Sequence, residues 1–369
     1  MKAAVLYEFG KDLEIEDVRL DPPKEREVLL RITAAGVCHS DLSVARGRGS
    51  AKLPMILGHE AAAVVQRAGP AVSRVKAGDH VILSWAPACG HCFYCRIGYP
   101  AQCETYVKAA GNGVLWDGTS RLRTTSGQTI QHFACQSSFA EHAVMPEEGC
   151  LPVDPDVPAT VAALIGCAVT TGIGAAINDA KVRPGDRVAI WGIGGVGLSA
   201  IMGARIAGAE VIIAVDPNPR KEAVAKRFGA THYVNPRTTP DVPEAIRALT
   251  GGRGVDAAFE CAGQPAAFEE GYNATRPAGT VVSVGQAAKG LAFSIPAARM
   301  FPQVQKRIVG SYYGGGVPEH DFRRIVDLYR GGRLDLDALV GATTPLEGIN
   351  DAFRALEAGI DTRTVITFN

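Results

Sequence analysis

Arg187-Val-Ala-Ile-Trp-Gly-Ile-Gly-Gly-Val-Gly-Leu-Ser-Ala-Ile-Met-Gly-Ala-Arg-Ile-Ala-Gly208, continued by Ala209-Glu-Val-Ile-Ile-Ala-Val-Asp216, is the stretch that decides the fold. Arg187 to Trp191 reads as a buried strand and Leu198 to Ala207 as a helix, ended by Gly208 in the left-handed conformation. Val211 to Val215 is a second strand, stopping at Asp216. A lone G-x-G-x-x-G means little. Here it follows a strand, opens a helix and has an acid 24 residues after its first glycine, as a dinucleotide-binding βαβ unit does. Gly192 allows the tight turn, Gly194 lets a pyrophosphate approach, and Gly197 lets the helix pack closely on the strand. Gly195 and Val196 complete the turn, and the N-terminus of the helix offers its free N–H groups and positive dipole end to the phosphates. A carboxylate at Asp216 accepts hydrogen bonds from ribose hydroxyls and repels a 2′-phosphate, so NAD is expected over NADP despite Arg220 and Lys221 nearby.

Downstream, helix and strand keep alternating. Strands are expected at Thr231–Val234, Val255–Cys261, Gly279–Gly285 and Arg307–Tyr312, in the doubly wound parallel order 3-2-1-4-5-6 of a Rossmann domain. Upstream, short β-type runs at Lys2–Tyr7, Glu27–Ala35, Ala61–Ala68 and Lys76–Leu83 sit between Gly, Pro and Asp breaks. They predict a partly open β-barrel with few helices, to which the C-terminal segment returns. The expected division is a barrel domain of residues 1–168 and 312–369 and a Rossmann domain of 169–311.

Composition narrows the class. The 369 residues carry 38 basic and 38 acidic side chains, which argues against nucleic acid or an anionic membrane as partner. The uncharged run Val188–Ala204 contains five glycines, short and small for a membrane span. An odd nine cysteines fit an intracellular metal protein better than a disulfide framework, and a cytoplasmic location is expected.

Four of those cysteines, Cys89, Cys92, Cys95 and Cys103, follow a C-x2-C-x2-C-x7-C spacing with turn-forming Gly and Pro between them. Four thiolates close the tetrahedral shell of a structural zinc. Two smaller groupings precede them, Gly36-Val-Cys-His-Ser-Asp41 and Gly58-His-Glu60, and Cys167 lies much later. Taken singly, such Cys and His residues are usually core. Together Cys38, His59 and Cys167 supply the Cys2His set of a catalytic zinc, with Asp41 and Glu60 as carboxylates able to orient a ligand. Spacing alone leaves their convergence open.

With these motifs, and with Gly166-Cys-Ala-Val-Thr-Thr-Gly172 and Arg363-Thr-Val-Ile-Thr-Phe368, the chain resembles the zinc-dependent medium-chain alcohol dehydrogenases along its whole length. The resemblance implies a GroES-like barrel domain, two Zn2+ per chain and NAD. In it Cys38, His59 and Cys167 hold the catalytic zinc, and Ser40, with His39 beside it, takes the alcohol proton. His39 and Arg363 contact the pyrophosphate, Lys221 contacts the adenosine ribose, and Thr171 and Val196 pack near the nicotinamide. Trp85, Phe133 and Ala134 line the pocket, which suits a primary or aryl alcohol or its aldehyde. The stretch from Asp117 to Phe139 resembles the long loop of the dimeric members, so a homodimer is expected, with a homotetramer as the alternative.

Two departures matter. Relatives end the proton relay on a histidine five residues after the first zinc cysteine, where this chain has Ser43. A steeper pH dependence follows, and flat turnover between about pH 6 and 9 would count against it. The glutathione-linked formaldehyde branch, the alternative substrate class, has a basic residue four positions after the last structural cysteine, where Val107 stands here. A non-catalytic, cofactor-binding relative is the alternative of another class, and it would be marked by lost zinc ligands.

Overall fold

A computed structural model describes residues 1–48, 51–295, 300–360 and 362–368. It divides into two compact units, residues 1–168 with 316–332 and 336–369, and residues 169–315 with 333–335. The first half contributes strands β1 (Lys2–Leu6), β2 (Glu14–Leu20), β3 (Glu27–Gly36), β4 (Met55–Ile56), β5 (Ala61–Ala68), β6 (His80–Leu83), β7 (Leu122–Thr124), β8 (Thr129–His132), β9 (His142–Pro146) and β10 (Cys150–Pro152). Then come β11 (Arg187–Trp191), β12 (Val211–Val215), β13 (His232–Val234), β14 (Val255–Glu260), β15 (Thr275–Ser283) and β16 (Arg307–Gly310), with β17 (Ala342–Thr344) and β18 (Thr364–Thr367) last.

In the first unit β1, β2, β7, β8 and β4 close a small barrel, beside a seven-stranded sheet ordered β10-β6-β5-β3-β18-β17 with β9 also on β3. β3 shows why this pairing is specified. Val28, Leu30 and Ile32 turn one way into the core, while Leu29, Arg31 and Thr33 between them are only half-buried. Each fully buried aliphatic side chain contributes about 1.5–3 kcal/mol. The C-terminal strands join by β18 pairing antiparallel with β3 and parallel with β17.

The stretch that resembles the family's long loop carries secondary structure of its own. Its middle is the β7–β8 hairpin, which is part of the barrel, and its start is anchored by the buried guanidinium of Arg121. Arg121 grips Glu27 in β3 with two bonds, Nε at 2.9 Å and Nη2 at 2.6 Å, and its Nη2 also reaches Asp117 at 2.8 Å. Such a forked, charge-assisted pair is directional as well as strong.

Next to it, His132 is buried with Nε2 accepting from the Arg121 N–H at 3.2 Å. Burial, reinforced by the Arg121 charge, pushes its imidazole down to about 3, whereas in the unfolded chain it titrates near 6.5. The folded state is therefore fully favoured above pH 6.5 and loses stability as the pH falls toward 3. At pH 5 the loss amounts to about 2 kcal/mol. In His132→Gln the denaturant midpoint should fall less between pH 7 and pH 5 than in the parent; equal slopes would refute this.

The second unit carries the six-stranded parallel sheet β13-β12-β11-β14-β15-β16, which is the predicted 3-2-1-4-5-6 order. Its central strands are buried on both faces, which explains their unbroken apolar runs. Helix Gly195–Ile206 follows β11, and Gly208 beyond it adopts φ +89°.

A longer uncharged run, residues 157–178, carries the helical stretch Ala159–Asp179. It is long and apolar enough to cross a membrane, but 83% of its apolar window is buried, as in a core helix.

Candidate metal centres and cofactor cradle

Cys38, His59 and Cys167, scattered over 130 positions, converge. Their ligand atoms lie within 4.8 Å of one another, all three side chains are buried, and Cys167 Sγ is 3.4 Å from His59 Nε2. Cys38 ends the run that follows β3, His59 sits between β4 and β5, and Cys167 lies in a wide, π-type turn at Ile165–Val169. Such turns recur at functional sites.

Asp41, fully buried in helix His39–Ala45, organises the group. Its Oδ1 accepts from Gly58 N at 2.9 Å and faces His59 Nδ1 at 3.0 Å, and its Oδ2 accepts from Cys38 N at 3.3 Å. With Nδ1 facing a carboxylate, the imidazole offers Nε2 to the two sulfurs.

Glu60 stands behind the trio. Its Oε1 accepts from Ala168 N at 3.0 Å, tying down the residue after Cys167, and its Oε2 pairs with the buried guanidinium of Arg363. Burial raises the Glu60 carboxyl to about 7, with the Arg363 charge opposing it. A Cβ at Gly36 would come within 2.6 Å of Glu60 Oε2, so glycine there makes room for the carboxylate.

The chemistry of this donor set fits a soft divalent cation. A hydrogen bond from Cys167, working against burial and helped by Arg363, holds the Cys38 thiol well below its ordinary value. Burial disfavours a charged His59, yet Asp41 and Cys38 together raise it. A pocket whose anions pull a proton onto a buried imidazole is one that attracts Zn2+. Three ligands leave a fourth position open.

The four-cysteine lobe is the opposite case. Its four sulfurs lie within 4.8 Å of one another, with Cys92 Sγ donating to Cys95 Sγ at 3.5 Å and neither in a disulfide. Burial alone would raise Cys89, but N–H groups of His91 and Cys92 bring it down to about 6, which favours the thiolate. Only Pro100, Ala101 and Cys103 are buried between residues 89 and 103, and Phe93 and Tyr99 are 62% and 59% exposed. The lobe has no core of its own, so cross-linking through sulfur has to supply its order.

The glycine-rich turn is close-packed at its two ends and open in its middle. Gly192 has φ +85°, a Cβ at Gly194 would meet nothing within 4 Å, and one at Gly197 would lie 1.9 Å from Gly192 O. Asp216 follows β12, and its Oδ2 accepts from Ile193 N at 2.8 Å. Lys221 is buried at the start of helix Lys221–Phe228. Thr171 and Val196 are half-buried on helices in close contact, where a Cβ at Gly172 would come within 2.3 Å of Val196 O.

Of the remaining expected residues, Ser40 places Oγ 3.9 Å from Cys38 Sγ, and His39 is exposed. Trp85 and Phe133 meet the His59 ring edge-on, with centroids 6.5 and 5.5 Å away, and Ala134 follows at φ +52°. Tyr106, which the sequence did not single out, extends the wall by packing on Trp85 at 6.0 Å. Arg363 was expected at a pyrophosphate; its Nη2 lies on Glu60, and this pairing, 303 residues apart in the chain, carries no local signal.

A barrel unit with a buried Cys2His group and a Rossmann unit with an intact glycine turn together define a zinc-binding dehydrogenase. Family models agree: alcohol dehydrogenase GroES-like domain matches residues 24–155 and zinc-binding dehydrogenase residues 195–330. S-(hydroxymethyl)glutathione dehydrogenase of Paracoccus denitrificans is 38% identical over 375 residues, covering 100% of this chain and 99% of its own. Benzyl alcohol dehydrogenase of Acinetobacter calcoaceticus superposes with a TM-score of 0.94 at 34% identity, covering 100% and 99%. An alcohol dehydrogenase zinc-binding domain protein of Burkholderia ambifaria gives 0.95 at 39% identity, covering 100% and 98%. The chain belongs to the zinc-dependent medium-chain alcohol dehydrogenase family and is an oxidoreductase.

Proposed function

We propose that this protein reversibly oxidises a primary aliphatic or aryl alcohol to the aldehyde, passing hydride to NAD. The observation that carries the reading is the buried Cys38–His59–Cys167 group, with Asp41 fixing the imidazole and one position left open. A zinc ion there supplies Lewis acidity, which makes an alcohol easier to deprotonate. In this reading Ser40, whose Oγ is 3.9 Å from Cys38 Sγ, takes the alcohol proton. Trp85 and Phe133 bracket His59 with apolar surface that excludes water and favours an aromatic substituent. Glu60 and Arg363 hold the chain on either side of the thiols and balance charge behind them. The glycine turn receives the pyrophosphate of NAD, and Asp216 reads its ribose.

A second zinc occupies the four-cysteine lobe in this reading. A homodimer is favoured by β16, an edge strand with exposed Arg307, Ile308 and Gly310 whose free side a second copy can pair. The setting is cytoplasmic, with no nucleic acid or membrane partner. Retention of all three ligands stands against a non-catalytic role. The glutathione-linked reaction is the second reading, favoured by the Paracoccus relative, whereas Val107 offers no charge to a glutathione carboxylate.

The test is NADH formation across aliphatic, terpenoid and aryl alcohols and S-(hydroxymethyl)glutathione, with zinc counted per chain. Two zincs and highest kcat/KM for an aryl or primary alcohol are expected. Preference for the glutathione adduct would hand the assignment to the second reading, and no turnover with any substrate would remove both.

A further inference from the structure

The carboxylate of Asp216 is not a free arm at the end of β12. Its Oδ1 accepts from Asn218 N at 2.9 Å and its Oδ2 from Ile193 N at 2.8 Å, so it bridges its own turn to the glycine turn. A side chain from the neighbouring strand braces the backbone of this turn, alongside the Arg220 N–H on Asn218 Oδ1 at 3.1 Å. Tyr233, in β13, shares its hydroxyl proton between two backbone carbonyls, Asp216 O at 2.8 Å and Asn218 O at 2.7 Å. Two carbonyls aimed at one point repel each other unless a donor sits there. Without the hydroxyl, Asn218 O keeps the Lys221 N–H at 2.9 Å, but the bridge between the two carbonyls is lost and the turn from Asp216 to Asn218 loosens.

Where the carboxylate sits matters because cations follow it. Arg220 is exposed two residues beyond Asn218, and Lys221 comes next. A carboxylate that drifts from the glycine turn leaves those charges to favour a 2′-phosphate. We propose that Tyr233 is a positioning residue for cofactor choice: its hydroxyl holds the Asp216 carboxylate where a ribose 2′-hydroxyl is accepted and a 2′-phosphate is rejected. This rests on the NAD reading above.

The experiment uses the full-length, zinc-loaded protein with benzyl alcohol as probe. It measures kcat and KM for NAD and NADP, NADH binding by fluorescence, and the thermal midpoint. A parent protein that neither binds NADH nor reduces NAD overturns the underlying reading before any variant is made. Given a working parent, Tyr233→Phe should raise KM for NAD roughly tenfold, leave kcat within about twofold and narrow the NAD preference by a similar factor. In an Asp216→Asn background the same change should leave the NAD-to-NADP ratio unmoved, since the two residues act as one unit. A lower midpoint with an unaltered ratio would make Tyr233 a structural brace only and overturn the proposal. So would an undiminished effect in the Asp216→Asn background. Tyr233→Met removes the hydroxyl differently and gives the same readout should the Phe variant not be recovered.

Discussion

Cys167→Ala should lower kcat/KM by on the order of 10³-fold or more, while NADH binding and one zinc per chain survive. The expectation follows from the geometry of a three-ligand site. Cys167 Sγ is 3.4 Å from His59 Nε2, and its loss removes one of the three ligand atoms gathered there. Two ligands do not hold an ion that three hold with a position to spare. About 4 kcal/mol of lost electrostatic stabilisation corresponds to that factor in rate. The change is also local: Ala fits any backbone Cys occupies, and the glycine turn belongs to the other unit. Steady-state kinetics, metal analysis and fluorescence titration with NADH check the three parts separately. Unchanged turnover would remove Cys167 from the ligand set.

Cys95→Ala should fail in a different order. The lobe between Cys89 and Cys103 has its aromatic residues outside and almost nothing within, so a metal held by its four sulfurs would be its interior. Losing one of four thiolates should release the second zinc, make residues 89–103 the first site of proteolysis, and lower the thermal midpoint by several degrees or more. Activity should decline in step with the folded fraction, so that turnover per correctly folded molecule changes little at first. A loss of turnover at full zinc content and unaltered midpoint would place this lobe in the chemistry, contrary to its closed four-sulfur shell.

The two units were unequally legible. The Rossmann unit could be read closely because parallel strands covered on both faces leave continuous apolar runs, and because Gly192 and Gly197 answer steric demands a side chain cannot meet. In the barrel unit the strands are short. Leu122-Arg-Thr124 and Thr129-Ile-Gln-His132 carry almost no periodicity, so the hairpin between Asp117 and Phe139 read as a loop. The metal ligands were legible as residue types in a family order, but their meeting was not, since nothing near Cys167 points to His59. The Arg363–Glu60 pair and the Tyr233 brace had no signal at all. Both are long-range contacts of ordinary residues, visible only once the backbone brings them together. The uncharged run of residues 157–178 is interrupted by Gly166, Gly172 and Gly174, which read as breaks, yet it folds as the helix that carries Cys167.

That helix has one further consequence. An α-helix rotates by about 100° with each residue, so its faces are fixed by counting. The wide turn at Ile165–Val169 takes in a surplus residue, which changes the heading of the side chains after it relative to those before. The direction of Cys167 thus depends on arithmetic along the chain as well as on the Glu60 contact that holds Ala168. Substitutions around it can be absorbed; a single-residue deletion cannot, because it would realign one end of the helix or the other. In lineages descended from this sequence, length across this turn should vary less than residue identity.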